Sequence, residues 1–137
     1  MQGTRWQKYT GSIVLALALL SCSGDEQPTL TGTWTGTLQD SIAGTGAVLL
    51  TISQNGTQLD GTWQFTFPDS TNNNSGLLSG TAGKPSIALV LSAAQPQACS
   101  FTVAANRDED NDNHFSGTYA AFNCTRAESG GLDVIRR

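Results

Sequence analysis

The sequence predicts an all-β protein, an antiparallel up-and-down β-barrel of about eight strands closed on itself. Three observations carry this. No window in residues 30–137 repeats apolar residues at i, i+3 and i+4, whereas alternation with a period of two is common. Of 137 residues, 15 are Gly and only 13% are charged; the rest is rich in Thr, Ser and Asn, which suit strands and turns rather than long solvated helices. Finally, an apolar-x-Gly-Thr-x pattern recurs at Leu30–Trp34, Leu59–Trp63, Leu78–Ala82 and Phe115–Tyr119. Its spacings of 29, 19 and 37 residues are too uneven for a solenoid. A Gly lets a strand bend where a sheet curls, and the next inward aromatic covers the gap. Closure also removes the exposed edges that so polar a sheet would present.

The length is that of one domain. It follows a targeting segment. Arg5 and Lys8 make a short positive region, and Gly11 to Leu20 is apolar but too short to span a bilayer. The segment ends in Leu19-Leu20-Ser21-Cys22, which resembles the bacterial lipobox, with Leu20 bulkier than the usual small residue. The resemblance implies a lipoprotein signal peptide over 1–21, cleavage before Cys22 and lipidation of that Cys. The plainer alternative is an ordinary signal peptide with an incidental Cys. Ser23, rather than Asp, follows Cys22, which by analogy with enterobacterial sorting favours the outer membrane, facing the periplasm. Several buried acyl chains make a lasting anchor. Processing leaves five basic residues against all eleven acidic ones, so the lipid rather than the protein surface must hold the membrane. Residues 22–29 read as the lipidated Cys and a polar tether, and 30–137 as the barrel.

The strands follow in order. Leu30, Gly32, Trp34, Gly36 and Leu38 share one face of the first. Val48, Leu50 and Ile52 alternate up to Asn55-Gly56, whose residue types suit a type I′ turn, and Leu59, Gly61, Trp63 and Phe65 alternate away from it. The expected register sets Ile52 opposite Leu59, Leu50 opposite Gly61 and Val48 opposite Trp63. Leu78, Gly80 and Ala82 then run into a Gly83-Lys84 turn, and Ile87, Leu89 and Leu91 run out, with Gly80 opposite Ile87. Further strands cover 98–106 and 114–124, and a short last one covers Leu132 to Arg136.

With Cys22 set aside, Cys99 and Cys124 remain, and an even pair in an exported chain reads as a disulfide. A conflict follows. The Gly-Thr-aromatic pattern turns Gly117, Tyr119 and Ala121 inward, whereas direct pairing of Cys99 with Cys124 turns Thr118, Ala120 and Phe122 inward. Without a bulge between Tyr119 and Cys124 the two are incompatible, and the bridge takes precedence over Tyr119.

Leu30-Thr-Gly-Thr-Trp34-Thr and Leu59-Asp-Gly-Thr-Trp63 resemble the first and third strands of the avidins, and Gly32-x-Trp34 is similar to the first-strand motif of the lipocalins. The resemblance to this calycin superfamily implies a small up-and-down barrel. Biotin binding does not carry over, because Gly36 and Asp40 stand where avidins place Asn and Ser.

In such a barrel the segments 39–46, 68–76, 93–98 and 125–131 crowd one end and frame a mouth. Trp34, Trp63, Phe65, Leu89 and Tyr119 point inward, to line a pocket for an apolar ligand or simply to fill the interior. Asp108, Asp110 and Asp112 have the D-x-D-x-D spacing of a calcium loop. Against calcium, Asn113 stands where Gly is expected and Tyr119 where the bidentate Glu belongs, so a solvated hairpin loop is the plainer reading.

A net charge of −4 with no basic stripe excludes nucleic acid as a partner. A single His, His114, leaves little for a triad or a His-based metal site, and no activated Ser or Cys is visible, so no enzyme and no cofactor is expected. The reading is a lipid-anchored envelope lipoprotein whose barrel binds a small apolar ligand or a protein. A lipocalin-like protease inhibitor and a structural envelope protein are the alternatives.

Overall fold

The computed structural model describes residues 28–137 and, before them, Gly3 alone. The signal peptide, Cys22 and most of the tether lie outside the described residues. Eight antiparallel strands follow in sequence order: β1 (Gly32–Asp40), β2 (Gly44–Asn55), β3 (Gln58–Thr66), β4 (Asn74–Ala82), β5 (Ser86–Ala93), β6 (Ser100–Arg107), β7 (His114–Phe122) and β8 (Ser129–Arg136). Each pairs with its neighbours in the chain, and β8 returns to β1 to close the barrel. The expected fold is the observed one.

Two hairpin registers differ from expectation, each by two residues. In the first, Asn55 pairs with Gln58, so Ile52 faces Gly61, Leu50 faces Trp63 and Val48 faces Phe65. The turn is Gly56-Thr57. Its φ is positive at Gly56 and not at Thr57, which is the II′ pattern rather than I′. In the second, Gly80 faces Leu89 rather than Ile87, and the connection runs from Gly83 to Pro85. Pro85 has no N–H to offer a ladder. A slip of two keeps every side chain on its face, so the apolar pattern did not discriminate between these registers.

The conflict at β6–β7 resolves in favour of both features. Phe101 faces Ala121 and Val103 faces Tyr119, so Tyr119 points inward. The strand ends at Phe122, and Asn123, with φ of 55°, turns the chain so that Cys124 bridges Cys99 at a Cα separation of 4.9 Å. The direct Cys99–Cys124 register, and with it the inward Thr118, Ala120 and Phe122, is corrected.

The repeated glycines have a packing reason. At Gly61, Gly80 and Gly117 a neighbouring strand's carbonyl stands where a Cβ would project. Inward alternation then builds one core, with 22 buried apolar residues among the described ones, running the length of the barrel.

Candidate functional site

The interior comes first because the sequence placed its candidate ligand there. Trp34, Trp63, Phe65, Leu89 and Tyr119 all point inward and are at most 3% exposed. The aromatic rings among them pack on aromatic neighbours. The rings of Trp63 and Phe65 lie 4.9 Å apart, Phe65 and Phe101 5.4 Å, and Phe101 and Tyr119 5.2 Å. Trp34 packs on Phe115 at 4.7 Å. Such offset and edge contacts add about 0.5–1.5 kcal/mol each beyond area burial.

Apolar surface appears on the outside instead. A groove of about 680 Å³ crosses β2 to β5, lined by Leu49, Thr62, Gln64, Ser75, Leu77 and Ser92 among others. Leu77 is 69% exposed and Leu49 38%. The wall is thin here because Gly76 faces Trp63 across the β3–β4 ladder. A Cβ at Gly76 would strike the Ser92 carbonyl, which instead accepts from Trp63 Nε1 at 3.1 Å. The indole edge thus forms part of the groove floor. Among the described residues no ionisable side chain lines the groove.

The end where the chain enters is sealed by the chain itself. Leu30 is fully buried, its amide donates to Gln54 Oε1 at 2.7 Å, and its carbonyl accepts from Trp34 Nε1 at 2.8 Å. Two inward arginines hold the entering strand. Arg107 Nη1 donates to the Pro28 carbonyl at 2.6 Å, and Arg136 Nη1 donates to the carbonyls of Thr29 and Thr31 at 2.7 and 3.0 Å. The Arg136 guanidinium also lies 4.7 Å from the centre of the Trp34 ring. Burial, and then repulsion from Arg136, pull the Arg107 guanidinium below its ordinary range, while Asp112 opposes this.

The loop-rich end is closed by acids. The β1–β2 connection is only Ser41–Ala43, shorter than the expected 39–46 loop, because Asp40 Oδ1 accepts from the amides of Ile42 and Ala43 at 2.9 and 2.8 Å. Its other oxygen accepts from the Tyr119 hydroxyl at 2.7 Å. Burial pushes the Asp40 carboxyl up, but the donors Ala43, Tyr119 and Ile42 outweigh it and hold the group below the usual carboxylate range. Burial and then the Asp40 carboxylate push the Tyr119 phenol far up. Sequence reasoning passed over Asp40 except as a departure from avidins. The available signal was an inward position, two residues past Leu38, occupied by a turn-forming acid.

The aspartates of the 107–114 segment do not converge. Asp108 accepts from the Asp110 amide at 2.9 Å and pairs with His114 Nδ1 at 3.0 Å, while Asp112 lies toward Arg107. Among the described residues no three His, Cys, Asp or Glu side chains gather as metal ligands. His114 instead joins this segment to β8, its Nε2 lying 3.0 Å from Asp133.

These features define a class: a small, closed, disulfide-bonded up-and-down barrel with a packed aromatic interior, a sealed entry end and an apolar groove on its outer wall. No family model and no curated protein matches the chain. Solved structures do. A redesigned β-barrel, b11L5F_LGL, aligns with a TM-score of 0.64 at 15% identity, covering 79% of this chain and 91% of that one. The redesigned barrel mFAP1, bound to DFHBI, aligns with a TM-score of 0.65 at 16% identity over 78% of this chain and 94% of that one. EF1p2_mFAP2b, also bound to DFHBI, aligns with a TM-score of 0.63 at 14% identity over 79% and 93%. The similarity is one of fold.

Proposed function

We propose that this protein is a lipid-anchored lipoprotein of the cell envelope, held at the outer membrane facing the periplasm, and that its barrel is a non-catalytic binding module. The observation that carries the binding role is the outer groove, apolar at its centre, uncharged, and open at Leu77 while the interior is filled. Such a surface suits a small apolar ligand or an apolar side chain of a protein. Two barrels of similar fold hold the small molecule DFHBI, which favours a small ligand. The packed interior favours a second reading, a lipocalin-like inhibitor working through its loops. The anchor rests on the Leu19-Leu20-Ser21-Cys22 motif.

One experiment covers both parts. In its host, Cys22→Ser is expected to move the protein from the membrane to the soluble envelope fraction. On the purified mature chain, N-phenyl-1-naphthylamine is expected to quench Trp63 emission saturably, and Leu77→Asp to remove that binding while leaving the fold intact. A membrane-bound Cys22→Ser variant overturns the anchor. Unchanged dye binding in Leu77→Asp, or none in the wild type, overturns the groove.

A further inference from the structure

The groove on the outer wall continues toward a cation. Across the ladders Leu77 faces Thr62, Gln64 faces Leu49, and Leu49 faces Thr35. These positions alternate with the buried rows of β1 to β4, so they form one band on the outside of the barrel. A second recess, of about 390 Å³, adjoins the groove by sharing Leu49 with it. It is lined by Thr35, Thr37, Ala47, Thr66 and Arg137 among others.

Arg137 is fixed at that end of the band. Its main-chain N donates to the Thr33 carbonyl at 2.9 Å, and its Nε donates to Thr35 Oγ1 at 3.1 Å. The Thr35 contact uses one of the five guanidinium N–H donors and leaves the fork that matches a carboxylate. Among the described residues, Arg137 is the one ionisable side chain lining either recess. Two acids stand on the same wall. Asp133 faces Thr37 across the β8–β1 ladder and is engaged by His114 Nε2 at 3.0 Å. Asp60 is exposed on β3, two residues from Thr62, and it repels an anion from that flank of the groove. From β4 to β1 there are three strand spacings of about 4.8 Å, or roughly 14 Å in all. That is the length of an extended chain of about ten to twelve carbons.

We propose that the outer groove takes a single-chain amphiphile with an anionic head, of the kind of a medium-chain fatty acid, its chain lying from Leu77 to Leu49 and its carboxylate on the Arg137 guanidinium. The inference rests on the binding role given to the groove above and names its ligand class. Leu77 and Leu49 supply the apolar surface that a hydrocarbon chain covers. One cation at the end of an otherwise uncharged trough selects an acid over a neutral alcohol of equal length. An anionic bilayer presents many head groups to a protein, whereas this band offers a single cation, so the occupant is the free amphiphile rather than a lipid surface.

The test is calorimetric titration of the purified, unlipidated protein with decanoate and with decanol, so that no acyl chain of its own competes. An exposed ion pair is worth up to about fivefold, so decanoate is expected to bind about fivefold tighter than decanol at low salt, and the preference to shrink at high salt. Arg137→Gln is expected to bring decanoate down to decanol, and Arg137→Lys to restore part of the difference. Arg126→Gln, at the loop-rich end, is expected to keep the preference whole. Equal binding of acid and alcohol by the wild type overturns the head-group assignment while leaving the groove. A preference that survives Arg137→Gln, or is lost in Arg126→Gln, overturns it as well. Binding of neither compound overturns the groove itself. Sedimentation of the protein with phosphatidylglycerol vesicles that excess decanoate does not reverse overturns the free amphiphile in favour of a lipid surface.

Discussion

At the end where the chain enters, Arg107 and Arg136 point inward, and their partners are backbone carbonyls of residues 28–31. At the opposite end Asp40 points inward, and its partners are two amides and a phenol. Both ends solve one problem. A barrel wall satisfies its own backbone, but its two openings leave unpaired groups above an apolar core. The guanidinium solution stays charged at any ordinary pH and grips the main chain in several places. The carboxyl solution is a local cap, one anion holding the β1–β2 turn and the Tyr119 hydroxyl together. The difference teaches that the entry end is built to hold the incoming main chain, and the mouth to hold its own turn and Tyr119.

The largest expected effect tests the hold on the incoming chain. Trp34 is fully buried, stacks on Phe115, carries Arg136 over its face and donates to the Leu30 carbonyl. Trp34→Ala is expected to cost roughly 3–5 kcal/mol of unfolding free energy in urea, the range for a large core aromatic. A cost near that of an exposed residue would show that the entering strand seals nothing.

The second test concerns the mouth. The Cys99–Cys124 bridge ties the start of β6 to the turn after β7, closing a 25-residue separation. The chain-entropy relation gives about 3.5 kcal/mol for a loop of this size. Reduction is therefore expected to lower stability by about 2–4 kcal/mol, with amide protection lost first at 123–129 and held at 28–31. Equal loss at both ends would show that they are not independent.

The sequence revealed the face of each strand better than its register. Val48, Leu50, Ile52, Leu59, Trp63 and Phe65 point inward as expected, because burial enforces a period of two and any odd slip would expose the whole row. A slip of two exposes nothing, so the choice fell to turn geometry, and Asn55-Gly56 offered a I′ turn where the chain uses Gly56-Thr57. The fate of the aromatics was equally open. Alternation shows that Trp63 and Phe65 face inward, but not that Phe101 and Tyr119 meet them there, which depends on contacts across the barrel. The groove was illegible for a related reason. Leu49 and Leu77 lie on different strands, and only the β2–β3–β4 ladders bring them to one patch. Asp40 and Tyr119 are 79 residues apart and meet only because β8 closes on β1.

The smallest effect concerns pH at the entry end, because His114 titrates there. Its Nδ1 and Nε2 each lie 3.0 Å from a carboxylate, on Asp108 and Asp133, and it ties the 107–114 segment to β8. Both ring nitrogens can donate only when the imidazole is protonated. The Asp108 contact and then the Asp133 contact raise the His114 imidazole above its ordinary value of 6.5. A raised folded value means the native state holds this proton longer than the unfolded chain. The contribution is fully present below about pH 6.5 and disappears as pH rises through the folded value. The carboxylates are solvated, so the effect is expected to stay below about 1 kcal/mol, as for other exposed pairs, and to shrink in high salt. Glu128 weakens the fold over an adjoining lower range, since burial raises its carboxyl from 4.5 to about 7 and stability falls as pH rises between those values. The two are separable by location. In Glu128→Gln the remaining loss of stability between pH 6 and pH 8 is expected to fall on exchange at 107–114, and to vanish when His114→Gln is added. A remaining loss confined to 40–43 and 123–129 would show that the entry end is indifferent to pH after all.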